Sequence, residues 1–323
     1  MSTPVAVPVG SRFSWSDRYR TICLTLPYIF DHAVRKRFRA TPQARLSTAA
    51  LRHPEFHRVV HDVYCAMFLR GYRQSTGYRV DCSTGLVVVL FAVFMYVFDD
   101  EFEARRRRGA STDVEAIIEA PGVADIWATL GAYLRATGRD DEIRRYIVSD
   151  FFGAGFDDYC RDIGEAKAGG GLAATVRVVE FDSGEVLRTV YHLIRLFNGH
   201  PYHQPCAEEF RNLGLAGKFL DDMADYTADV ESGSPNLLDA LAAERPADLA
   251  AARSALAAGE LVTMRWWREH CPATYERYLR WTFQYYDQVT APKLRLPLDI
   301  YLALLRTRKF WTVSTVRASQ RGD

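Results

Sequence analysis

A fourteen-residue apolar run, Gly85 to Phe98 (GLVVVLFAVFMYVF), stops abruptly at Asp99-Asp100-Glu101-Phe102-Glu103. The run is short of the roughly 20 apolar residues that span a bilayer. It is too apolar for a surface, so it predicts a segment enclosed by a large core. Of the 323 residues, 48% are hydrophobic and 13% aromatic, enough for such a core and enough to exclude global disorder. Elsewhere apolar residues recur at three- and four-residue steps, as in HRVVHDVYCAMFLRGY (57–72) and EVLRTVYHLIRLF (185–197). Alternation with a period of two is nearly absent. Breaks fall at 105–111, 120–122, 168–171, 198–201, 232–235, Pro246 and 292–297. No segment repeats, and no linker parts two domains. The expectation is an all-α, single-domain bundle of roughly ten helices over 13–313, with a flexible arm at 1–12 and a tail at 314–323.

Lys and Arg number 41 against 40 Asp and Glu, a net charge of +1, which argues against a nucleic-acid binder working through bulk positive charge. The six cysteines (23, 65, 82, 160, 206 and 271) form no CxxC pair, and no secretory leader is read upstream. They predict free thiols in a reducing compartment, and with no membrane span the expected location is cytoplasmic.

Two acidic clusters carry the chemistry. In the first, Asp99 and Glu103 stand at i and i+4, on one face of a helix, with Asp100 about 100° round. Like charges about 4 Å apart repel by about 4 kcal/mol at a partly buried effective dielectric, unless a cation joins them or one protonates. The alternative is a solvated helix end whose acids are answered by Arg105–Arg108. In the second cluster, Asp221, Asp225 and Asp229 stand at i, i+4 and i+8, a stripe about 12 Å long on a helix. Phe219, Leu220 and Met223 flank it, so the stripe is expected to border a cavity. Oxygen donors on one face suit Mg²⁺, above all where it also meets substrate phosphates.

With both clusters in view, the chain resembles the class I isoprenoid synthases. FDDEFE (98–103) resembles their aspartate-rich DDxx(D/E) motif, and DDMADYTAD (221–229) resembles the downstream ND-x-x-S/T-x-x-x-E metal motif of terpene cyclases, with Asp where that motif has Asn, Ser/Thr and Glu. The resemblance implies an α-domain-only bundle in which Asp99, Asp100 and Glu103 face Asp221, Asp225 and Asp229. Between them they would hold three Mg²⁺ ions on a substrate diphosphate, with Asp99 and Asp225 taking catalytic roles. The implied reaction is ionisation and cyclisation of a fifteen- or twenty-carbon prenyl diphosphate. LGLAGKFLDDMADYTADVESGS (213–234) also resembles a segment of squalene and phytoene synthases, which gives a second reading: a prenyl transferase condensing two diphosphates. A third reading is a non-catalytic helical protein whose acidic faces meet a basic partner. Homodimerisation is left open.

For the leaving anion the resemblance points first to Arg177, placed where cyclases carry a diphosphate-sensing arginine. The nearby Phe181-Asp182-Ser183-Gly184 would be the helix break that couples sensing to ionisation. Lys218, Arg308 and Tyr301 are further substrate-binding candidates. For the carbocation, aromatic faces attract a desolvated cation by roughly 2 kcal/mol without offering a strong nucleophile. Phe91, Phe94, Phe98, Phe219 and Trp311 are candidate lining residues. His53, His57 and His61 form another i, i+4, i+8 stripe, but no carboxylate partner accompanies it.

Overall fold

A computed structural model describes residues 58–81, 83–169 and 171–305. They form α1 (Arg58–Thr76), α2 (Thr84–Arg108), α3 (Val114–Ile118), α4 (Pro121–Ala136), α5 (Asp140–Arg145), α6 (Gly153–Lys167), α7 (Gly171–Val179), α8 (Val186–Asn198), α9 (Gln204–Ala224), α10 (Tyr226–Ser232), α11 (Leu237–Ala243), α12 (Pro246–Ala257), α13 (Met264–His270), α14 (Pro272–Tyr286) and α15 (Pro292–Leu305). Two π-helical stretches, Tyr146–Phe152 and Glu180–Glu185, join α5 to α6 and α7 to α8. No strand occurs among the described residues, so the bundle is all-α. The described helices number fifteen rather than roughly ten, because π turns and bends divide pieces that the sequence reads as continuous. Among them no helix is long and apolar enough to cross a membrane.

The apolar run becomes the body of α2, buried on nearly every side from Val87 to Phe94, after which only Phe98 and Phe102 are fully enclosed. At its start the Asp81 carboxylate accepts from the Ser83 N–H (2.7 Å) and hydroxyl (2.6 Å). At its end Gly109 adopts φ +63°, the left-handed cap that returns an N–H to the last-turn carbonyls. The second central helix, α9, is capped by the His203 ring and packs against α8, α14, α15 and the Glu180–Glu185 turn. α2 packs on α1, α4 and α8, so each acidic segment begins toward the end of a helix packed on several neighbours. α15 runs through Pro297, where the sequence reads a break. Pro292 occupies its first turn, a position that needs no N–H, and Pro297 removes one interior donor without ending the helix.

Candidate active site

The face that α2 turns inward repeats at three- and four-residue steps: Val88, Phe91 and Ala92, Met95, Phe98 and Asp99, then Phe102. These residues wall a cavity of about 520 Å³. Opposite them stand Phe152, Phe156 and Tyr159, then Phe181, Asp182 and Ser183 from the second π turn, and Lys218 and Asp221 from α9. The rings form a contiguous cluster, with Phe98 stacked on Phe152 at 4.6 Å, Tyr159 stacked on Phe181 at 4.9 Å and Phe156 edge-on to Phe98 and Phe152. The cavity wall is thus largely apolar, rings and aliphatic side chains together, with acids and Lys218 among its lining.

Three segments distant in sequence supply those acids. Asp99 and Asp182 keep accessible surface, but the surface faces the cavity. Burial, reinforced by Asp182, Glu103 and Asp100 and opposed by Lys218, pushes Asp99 up to about 6. Burial likewise pushes Asp182 up to about 6, against the pull of Lys218 and the Ser183 hydroxyl, which donates to it at 2.6 Å. Burial takes Asp229 up to about 7, with Lys218 and Asn236 opposing. Lys218 Nζ lies 2.7 Å from Asp222 Oδ1 and 3.7 Å from Asp221 Oδ2. Burial alone would lower this ammonium, but Asp222, Asp221, Asp182 and Asp229 together hold it well above the usual lysine range. Tyr301 donates to Asp221 Oδ1 at 2.7 Å.

Asp222 has a different task. Fully buried, it accepts from the Leu237 N–H at 2.6 Å and so satisfies the first donor of α11, whose N-cap is Asn236. Asn236 ties the region together by donating to the Asp222 carbonyl and to Asp229 Oδ2, both at 2.8 Å.

Of the sequence candidates, Asp99, Asp221, Lys218, Phe91 and Phe98 line the cavity, and Tyr301 reaches it through Asp221. Asp225 and Asp229 follow a bend: α9 ends at Ala224 and α10 starts at Tyr226, so the predicted unbroken stripe is kinked at Asp225. Asp229 remains coupled to Lys218, Asp222 and Asp221. Asp100 is exposed and does not line the cavity. Glu103 sits one turn past Asp99 and faces Arg106 (3.5 Å) and Lys167 (3.7 Å), while Glu101 pairs with Arg105 and Arg108. The reading of a helix end answered by arginines therefore describes Glu101 and Glu103, but not Asp99. Arg177 does not line the cavity: it donates to Asp162 (2.9 Å) and Glu165 (2.7 Å) on α6. Phe94 and Phe219 are core residues, packed on Trp127 and on Tyr278 and Trp281. Arg308, Trp311, His53, His57 and the side chain of His61 lie outside the described residues.

Sequence reasoning marked 181–184 as a helix break but missed Asp182 as an acid of the site. The only signal for it was that break, which the structure forms as a π turn. Phe102, Phe152, Phe156, Tyr159 and Phe181 were also missed, since aromatic residues of core and cavity follow the same period.

Among the described residues no three ligating side chains converge closely enough to hold an ion by themselves. The donor set still fits Mg²⁺, which keeps several waters and binds through one or two carboxylates plus substrate phosphates.

No family model and no curated protein matches the chain. Among solved structures it is similar to a geranylgeranyl pyrophosphate synthetase from Pyrococcus horikoshii, with 12% identity and a TM-score of 0.49, over 89% of this chain and 97% of that one. It is similar to a geranyltranstransferase from Methanosarcina mazei (10%, TM-score 0.45, 92% and 98%) and to a polyprenyl synthase from Roseobacter denitrificans (10%, 0.40, 94% and 100%). At such scores and identities these likenesses bear on neither substrate nor reaction.

Proposed function

We propose that the chain is a Mg²⁺-dependent class I enzyme that ionises an allylic prenyl diphosphate. One observation carries this reading: acids from α2, α9 and the π turn between them meet in a cavity whose remaining wall is apolar and rich in rings. Asp99, Asp182 and Asp221, with Asp225 and Asp229 beyond the bend, would hold the metal. Bound there, Mg²⁺ supplies charge neutralisation for the departing diphosphate. Lys218, charged and fixed between Asp221 and Asp222, adds a permanent cation beside those acids. The Tyr301 hydroxyl restrains Asp221, so that this carboxylate does not have to be oriented anew at each turnover. Phe91, Phe98, Phe152 and Phe156 would surround the allylic chain, stabilise its cation through their faces and exclude water.

The cation then has two fates. Closing on its own double bonds gives a cyclic product, the fate the sequence motifs favour. Joining a second isoprenoid gives a longer chain. Arg105–Arg108 at the end of α2, with Arg106 and Lys167 beside Glu103, place basic groups about two turns beyond Asp99, where a second diphosphate could be received. Joining is therefore assayed alongside cyclisation.

Ten-, fifteen- and twenty-carbon allylic diphosphates, each with Mg²⁺ and with or without a five-carbon homoallylic diphosphate, test both fates by pyrophosphate release and gas chromatography. The expected result is release that falls about 100-fold or more in Asp221→Asn. No release from any of these substrates overturns the reading.

A further inference from the structure

The π turn that brings Asp182 to the cavity is held from outside it. A π turn inserts a residue into helical winding and persists only where its surroundings impose it. Here the imposing element is α9. Arg211 Nη2 donates to Glu180 Oε1 at 3.1 Å and Arg211 Nε to Glu185 Oε1 at 3.3 Å, so one guanidinium grips the first and last residues of the turn. One helical turn from Arg211, Gly214 admits the Ser183 carbonyl to within 2.1 Å of where a Cβ would stand. The gripped segment carries Asp182 and Ser183 on its cavity side, and Arg211 is not among the cavity's lining residues. Rewinding this stretch as α-helix would swing Asp182 by about 100° for each residue of register lost.

We propose that Arg211 is a positioning residue: by clamping both ends of the π turn it holds the Asp182 carboxylate toward the end of the cavity where the diphosphate departs. This rests on the functional reading above for the ligand, though not for the clamp itself. Glu185 has a second cation in Arg188 at 3.3 Å, so the Glu180 pair is the one whose loss frees an end of the turn.

The test uses the full chain in four forms: wild type, Arg211→Met, Arg211→Lys and Glu180→Gln. In the ligand-free protein, amide hydrogen exchange over 180–185 should rise about tenfold in Arg211→Met and Glu180→Gln, with exchange in α2 unchanged. Arg211→Lys, which keeps the charge but not the fork, should fall between them and wild type. Calorimetric binding of inorganic pyrophosphate with Mg²⁺ should weaken about tenfold in Arg211→Met, and no further when Arg211→Met is added to Asp182→Asn. Unchanged exchange at 180–185 in both Arg211→Met and Glu180→Gln overturns the clamp. Equal weakening of pyrophosphate binding by Arg211→Met with or without Asp182 overturns the positioning role, because a general structural defect would act in both backgrounds. Wild-type protein that binds no pyrophosphate with Mg²⁺ overturns the functional reading and Asp182's part in it, while the exchange measurement still decides the clamp.

Discussion

Asp229 shows how enclosure sets the protonation of a single carboxyl. Its carboxyl is held at about 7, and Asp99 and Asp182 at about 6, mainly because burial penalises the charged form. A raised folded-state pKa means that the folded chain keeps protons the unfolded chain has already lost. Between the ordinary carboxylate range and about 7, stability of the metal-free protein therefore falls as pH rises, then levels off. Asp229→Asn removes one such group while retaining an oxygen to accept from Asn236. The variant is expected to match wild type near pH 4 and to exceed it at pH 8 by about 1 kcal/mol, after discounting for solvent screening. Urea midpoints across that range measure it, and a variant less stable than wild type at pH 8 counts against the burial penalty. Arg177 teaches the converse. It lies five residues before Asp182, about 140° round a helix, so winding that turns Asp182 into the cavity turns Arg177 toward α6. Spacing gave its position along the axis but not its rotation.

At the scale of elements, the contact between the π turn and α9 is the tightest backbone approach to the site. A methyl group at Gly214 would meet the Ser183 carbonyl at 2.1 Å and Leu187 Cβ at 3.1 Å, and backbone cannot step aside as a side-chain tip can. Gly214→Ala is expected to lose about 1–3 kcal/mol of stability, the usual cost of overpacking. Gly184→Ala, which faces only side chains, Leu215 at 3.2 Å and Arg211 Cγ at 3.5 Å, should lose less. Denaturant midpoints for the pair check this, and equal losses would mean that the turn yields freely. The existence of most of these elements was legible. The apolar run, the stretches at 57–72 and 185–197, and the glycine-marked ends of α2 and α8 all follow from local period and capping. The bend at Asp225 was not, because the like charges of DDMADYTAD weaken a helix by only about a few tenths of a kcal/mol; the Leu237–Asp222 bond and the Asn236 bridge act across space.

For the whole molecule, the cavity sets the terms. An enzyme of the proposed kind binds pyrophosphate and Mg²⁺ together, whereas a helical protein that pairs its acids with a basic partner does not. At a hundredfold excess over the dissociation constant, the pair should stabilise the fold by about 2.7 kcal/mol, and chelation should reverse it. A thermal scan that does not move with both ligands present favours the non-catalytic reading. Which rings line the cavity and which fill the core was hidden in the sequence. α2 is apolar all round, so Phe91 and Phe94 read alike, although one faces the cavity and the other Trp127.

By itself the sequence determined that the chain is helical, that its most apolar segment ends in acids, and that a second acidic segment follows on another helix. These are local properties, set by period, propensity and charge repulsion along neighbouring turns. Only the tertiary structure decided that Asp99 and Asp221 share one cavity, that Asp182 joins them, and that Arg177 and Glu103 find partners elsewhere. Those outcomes depend on how each helix is rotated about its axis. That rotation is fixed by packing between segments far apart in the chain, where one glycine and one arginine on α9 settle what no nearby residue could.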